Sequence, residues 1–203
     1  MMDATGMKER HNNGLYRTSL LCYCPITVVT SADGSETETL GDGKITRAVV
    51  SYAGENDSDS SELWAGDRRE QRDAGAPSAK LSIDRSYLSL ADEAELCGHH
   101  YDESTKTLER KEGDTPALVR VAALGKLKKP DRKLAYRLVG YYRASFDPVD
   151  DNLSTASKST SYSTTKLAGS AECNSEGNFV KKQEFDGYEE ALAALKTFLN
   201  IKG

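Results

Sequence analysis

The chain has 203 residues, of which 37% are hydrophobic, with a formal net charge of -5 and a mean hydropathy of -0.61. That length holds one domain with a proper core, and the polarity requires much of it to lie in exposed segments. The acidic balance opposes tight binding of nucleic acid, which needs a basic surface to displace counterions. No apolar run approaches the roughly 20 residues that span a bilayer.

Residues 1–14 are polar and without pattern and read as a flexible N-terminal arm. Their start, MMDATGMKER, lacks the apolar centre of a secretory leader, so residence in a cytoplasm is the expectation. Residues 15–203 read as a single β-rich domain. Leu20–Val29 forms a first strand with Leu20, Cys22 and Cys24 on one face, and Pro25 sets it at an edge or bends it. Ser31–Lys44 is rich in turn residues and fits a hairpin. Ile45–Ala53 is a strand, and the polar run GENDSDSS, 54–61, is expected as a solvated loop. Trp64 is the single tryptophan, lying before the charged stretch DRREQRD. Leu81–Tyr87 alternates as a strand, with Leu81 and Ile83 facing one way.

Ser89–Gly98 carries helix punctuation. Ser89 fits the N-cap and forms a capping-box pattern with Asp92, Asp92 and Glu93 suit the positive end of the dipole, and Gly98 suits the left-handed stop. Leu90, Ala94 and Cys97 share a stripe. Thr105–Glu109 and Ala117–Leu124 are further strands, and Gly125–Lys133 reads as a basic turn. The stretch from Lys133 to Phe146 then alternates for longer than the usual strand of about five or six residues. Leu134, Tyr136, Leu138, Gly140, Tyr142, Ala144 and Phe146 make an almost wholly apolar face. Residues 147–164 form a Ser/Thr/Asp-rich connection, longer than most loops of compact domains. Thr165–Glu172 and Phe179–Phe185 read as a closing hairpin around NSEG. A C-terminal helix over 187–199 is capped by Asp186 and carries the stripe Tyr188, Ala191, Leu192, Leu195 and Leu199. The expected fold is mainly β, a sandwich or barrel with one short inserted helix and a C-terminal helix.

The chemistry-bearing residues are few. Cys97, His99 and His100 stand together in CGHH, a pairing that serves a nucleophile and base or part of a zinc site. No second ligand group with zinc spacing accompanies them, so a packed helix end is the plainer reading. Cys22 and Cys24 lack the two intervening residues of a redox motif and read as small core hydrophobes. The four cysteines are expected as free thiols, since a chain of this size does not rest on a disulfide framework. The basic cluster Lys126, Lys128, Lys129, Arg132 and Lys133 could grip phosphate, but in an acidic protein it reads first as a solvated turn, and next as a partner for an acidic neighbouring subunit rather than for DNA. Phosphate loops, dinucleotide fingerprints and hydrolase elbows do not occur. The expectation is therefore no catalytic residue, cofactor or metal.

The ordered set of segments resembles a family. GLYRTSLLCYCPIT, ELWAGDRREQRDAG, AKLSIDRSYLSLADEAELCGHHYDEST, and the long strand running into FDP and then TTKLAGSAE are together similar to the major tail proteins of long-tailed bacterial viruses with non-contractile tails. The likeness covers about Gly14 to Glu172. It implies a structural virion protein, made in the host bacterial cytoplasm, with no enzymatic activity. It also implies hexameric rings that stack into a tail tube, with tape-measure and tail-terminator proteins as partners. DNA would pass through the lumen without specific binding, and no membrane is involved. Two other readings stand beside it. One is the tube protein of a contractile tail or injection particle. The other is a monomeric β-sandwich decoration or adhesin module that uses Trp64 and the tyrosines as its surface.

Overall fold

Alternation of apolar residues becomes antiparallel strand over most of the chain. The computed structural model describes residues 14–46, 49–57, 60–65, 68–129, 131, 133–150 and 164–202, with backbone alone for 14–19 and 57–74. In chain order the elements are β1 (Gly14–Thr30), β2 (Glu36–Leu40), β3 (Lys44–Thr46), β4 (Val49–Asp57), β5 (Ser60–Ala65), β6 (Arg68–Ala74), β7 (Ser78–Arg85) and α1 (Leu90–Cys97). They continue with β8 (His100–Asp102), β9 (Thr107–Glu109), β10 (Val119–Lys128), β11 (Leu134–Phe146), β12 (Thr165–Glu172), β13 (Val180–Phe185) and α2 (Tyr188–Phe198). The fold is mainly β with a short inserted helix and a C-terminal helix, as the sequence implies.

A nine-stranded sheet has the order β2-β1-β10-β11-β12-β7-β4, with β3 on β1 and β13 on β11. The sheet rolls until β4 returns to contact β1. Val49 and Tyr52 of β4 thus pack on the same cluster as Leu21 and Tyr23 of β1. That inner cluster also takes Ile83, Val121, Phe146 and Leu167 from the sheet and Leu96 and Cys97 from α1. A second cluster lies on the outer face. There Leu20, Cys22, Cys24, Leu124 and Leu138 pack under Ala191, Leu195, Phe198 and Leu199 of the C-terminal helix and its cap. Leu195 at 0% exposure and Phe198 at 6% each contribute about 1.5–3 kcal/mol by leaving water.

The central strands β1, β10 and β11 are therefore covered on both faces, which is why β10 is buried almost without interruption. On β11 the alternation is broken by a bulge. Ala144 pairs with Val119 and Tyr141 with Val121, so Tyr142 and Arg143 together face Arg120. Before the bulge Leu138 and Tyr142 point to the outer cluster, and beyond it Ala144 and Phe146 join Tyr141 in the inner one. The single apolar face expected for Leu134–Phe146 is thus two half-faces. Leu134, at its start, is exposed.

Several other expectations are corrected. The run 54–61 is not a loop: β4 continues to Asp57, with Glu55 opposite Lys80 and Asn56 opposite Ala79. A polar sequence is held extended there because β7 satisfies its backbone and sets a lysine across from its glutamate. Ile45–Ala53 is divided between β3, which pairs with β1, and β4, which pairs with β7. Gly125–Lys133 is strand as far as Lys128, and the turn closes with the Lys129 amide donating to the Lys133 carbonyl at 3.0 Å. β12 and β13 are no hairpin. Both run antiparallel to β11 along the same edge, and residues 173–179 make an excursion between them. Leu90 lies 47% exposed rather than on the buried stripe of α1. The N-cap of α2 is Gly187, which has no side chain to bond, and the Asp186 carboxylate is engaged by Lys129. The proposed arm, apart from Gly14 of β1, and positions 151–163 of the 147–164 connection lie outside the described residues. Within that connection Val149 is buried, and its carbonyl accepts from Arg110 at 2.8 Å.

Gly140 marks the tightest contact between β11 and α2. A Cβ there would stand 2.4 Å from Phe198 Cε1 and 3.1 Å from the Ala122 Cβ. Gly140→Ala is expected to destabilise by about 1–3 kcal/mol in urea unfolding. Adding Phe198→Leu to that variant should cost less than Phe198→Leu alone, because the two sites share one space. Strict additivity would contradict the contact.

Candidate functional site

The inserted helix holds the residues with the richest chemistry, so its geometry decides what they do. Ser89 Oγ accepts from the Asp92 amide at 3.1 Å, and Gly98 closes the helix at φ 76. A Cβ at Gly98 would lie 2.0 Å from the Thr115 carbonyl oxygen, so glycine is required twice over. Asp92 does not complete a capping box. Its carboxylate takes the Tyr23 hydroxyl at 2.9 Å, and Glu95 lies 2.7 Å from the same oxygen. Lys44 pairs with Glu95, and the buried Arg85 stands 4.0 Å from Asp92. Burial, the bond to Glu95 and the two carboxylate charges hold the Tyr23 phenol far above its usual range. This network ties α1 to the inner face of β1. A tyrosine within an apolar strand needs such a partner, and that was its one sequence signal.

Cys97 and the two histidines are not brought together as a catalytic pair. Cys97 is buried and its thiol contacts the Asp147 carbonyl at 3.3 Å. Burial pushes that thiol up to about 11, which keeps it protonated and unreactive at neutral pH. His99 turns instead to Asp114, with Nδ1 3.0 Å from Oδ2, while His100 begins β8 and is exposed. The amide of Lys111, then His99, holds the Asp114 carboxyl below its ordinary value. Among the described residues no three His, Cys, Asp or Glu side chains gather as a metal centre. Cys22 and Cys24 are buried in the outer cluster as free thiols, as are Cys97 in the inner one and the half-buried Cys173. Burial raises Cys22 to about 12 and also raises Cys24.

The basic cluster is dispersed. Lys126 and Lys128 belong to β10, Lys129 pairs with Asp186, and Lys133 lies 3.5 Å from Asp131. Arg132 lies outside the described residues. Lys129 and Lys133 thus have acidic partners within their own chain.

What remains open is backbone rather than chemistry. β2 and β4 end the sheet, each with one unpaired side among the described strands. Among the described strands β5 and β6 pair only with each other, from Ser60 opposite Ala74 to Ala65 opposite Arg68. In sequence this two-stranded ribbon lies between β4 and β7, which pair with each other in the main sheet. Trp64 stands opposite Arg69 in that ribbon. Val29, Val50 and Tyr87 are exposed apolar residues on the main body, at 56%, 57% and 69%. No described helix is long and apolar enough to cross a membrane. No protein-family model matches the sequence, and no curated protein matches it.

The thiol environments give a direct test. At pH 8 Ellman's reagent should modify Cys173 quickly in the native protein, and Cys22, Cys24 and Cys97 only after denaturation. Stability should also fall as pH rises from about 9, the ordinary thiol value, toward 11 and 12, because the unfolded thiols ionise first. Rapid native modification of Cys97 would contradict its burial.

Proposed function

We propose that this chain is the tail-tube subunit of a bacterial virus with a long non-contractile tail. In this reading it is a structural virion protein that closes into rings, stacks them into a tube and lets DNA pass without gripping it. The observation that carries the reading is the β5–β6 ribbon, which pairs with no third strand among those described. A two-stranded ribbon by itself is marginal in water, so contact with another molecule is what would complete it. The free sides of β2 and β4 make the same demand, since unpaired sheet edges are templates for association. A ring needs one surface of the subunit to meet a different surface of the next until rotation closes it. Two distinct sheet edges suit that requirement.

The net charge of -5 also fits a conduit, because an acidic wall repels the phosphate backbone rather than releasing its counterions. The ordered likeness of the sequence to the tail proteins supports the same reading. No chemistry is asked of Cys97, His99 or His100.

Negative-stain electron microscopy and light scattering of the purified chain at rising concentration test this. Rings or hollow tubes are expected. Replacing residues 60–74 by a short glycine linker should abolish them while leaving the circular dichroism of the main sheet and its urea transition in place. A chain that stays monomeric at every concentration and salt would overturn the proposal.

A further inference from the structure

A cavity of about 180 Å³ opens inside the rolled sheet, between β4, β10, β11 and β13. The pairings place its wall in two rows on one face. Ala123, Val139 and Lys182 are neighbours across the strands in one row, and Gly125, Arg137 and Glu184 in the next. Tyr52 and Gly54 of β4 close the space from the opposite side. Two of these positions, Gly54 and Gly125, are glycine. At Gly54 an added Cβ would lie 2.1 Å from the Tyr141 hydroxyl, so the Tyr141 ring lies directly over that glycine. Phe179 braces the ring edge-on, with centroids 5.5 Å apart.

The polar groups around this space are unbalanced. The Tyr52 hydroxyl is buried and has no hydrogen-bond partner, a condition that costs about 1–3 kcal/mol when nothing fills the need. Tyr141 lies close enough to act on it electrostatically, yet no hydrogen bond joins the two phenols. Burial raises both phenols above their usual range, so both keep their protons to donate. Lys182 has no carboxylate within ion-pair distance among the described residues. Arg137 spends its Nε and Nη2 on Glu184, the Nε bond being 2.9 Å. Two phenols, an ammonium and a guanidinium thus line the space, and no carboxylate stands among its described lining residues. Donors are in surplus and an acceptor is missing.

We propose that this cavity binds one small oxyanion, a carboxylate or a phosphate, through the hydroxyls of Tyr52 and Tyr141 and the ammonium of Lys182, with Arg137 at the rim. The volume admits a group the size of acetate or inorganic phosphate beside the apolar Ala123 and Val139. Charge-assisted bonds from an ammonium to such an oxygen are the stronger kind. The site is independent of the tube reading, because it lies within one chain.

The test follows thermal unfolding of the full chain at fixed protein concentration and constant ionic strength, replacing chloride by acetate in one series and by inorganic phosphate in another. A saturable rise in Tm with either probe supports the site, and the series that responds identifies the oxyanion. Lys182→Met should weaken the apparent affinity by about tenfold or more, while Lys196→Met on α2 should leave it unchanged. Tyr52→Phe should raise the anion-free Tm, by removing the orphaned hydroxyl, and shrink the anion-induced rise. No response to either probe would overturn the proposal. So would a response that Lys182→Met leaves intact, which would mark a general salt effect.

Discussion

The structure depends on where its limited apolar material goes. Only 37% of the residues are hydrophobic, and they are concentrated on β1, β10 and β11, each covered on two faces. The bulge at Tyr142 and Arg143 divides the even-numbered residues of β11, sending Leu138 and Tyr142 to the outer cluster under α2 and Ala144 and Phe146 to the inner one that Val139 and Tyr141 already join. Arg120, opposite the bulge, lies over the rings of Tyr142 and Phe198 at 5.0 and 5.1 Å and donates to the Phe198 carbonyl at 3.2 Å. A cation at the end of a helix is favourably placed, so one side chain joins bulge, sheet and helix.

The same allocation leaves the periphery poor. β2 carries glutamates that are gathered by Arg143, which stands 3.1 Å from Glu36, 3.6 Å from Glu38 and 2.9 Å from Glu172. Beyond β4 and β7 the chain has mostly polar and charged sequence to build the β5–β6 ribbon, with Leu63 and Trp64 as its large apolar residues. Backbone pairing holds such segments extended, but it supplies no layer for them to rest on. Unfinished edges around a doubly covered centre are the physical basis for reading the chain as an assembling subunit.

Features whose cause is local were legible in the sequence. The serine, the acids and the glycine of SLADEAELCG specify α1 from within, and the Leu195–Leu199 stripe specifies α2. Features whose cause is distant were not. Alternation in β11 passes through the bulge without a mark, because the extra residue is defined only by what Arg120 faces. GENDSDSS has no strand period, and its extension to Asp57 comes from β7. Asp186 has the right character for a cap, yet Lys129 engages it from another turn of the chain. Of the candidate chemistry, the separation of Cys97 from His99 needed the fold to show it, since His99 looks to Asp114. The polar lining around Tyr52 had no sequence signal either, because it is assembled from four strands.

The claim that the 60–74 ribbon is incomplete in a lone chain can be measured by amide hydrogen exchange as a function of protein concentration. The account predicts rapid exchange of Ser60–Ala65 and Arg68–Ala74 in dilute solution and strong protection once copies associate, while β10 and β11 stay protected throughout. Protection of the ribbon equal to that of β10 in dilute monomer would contradict it.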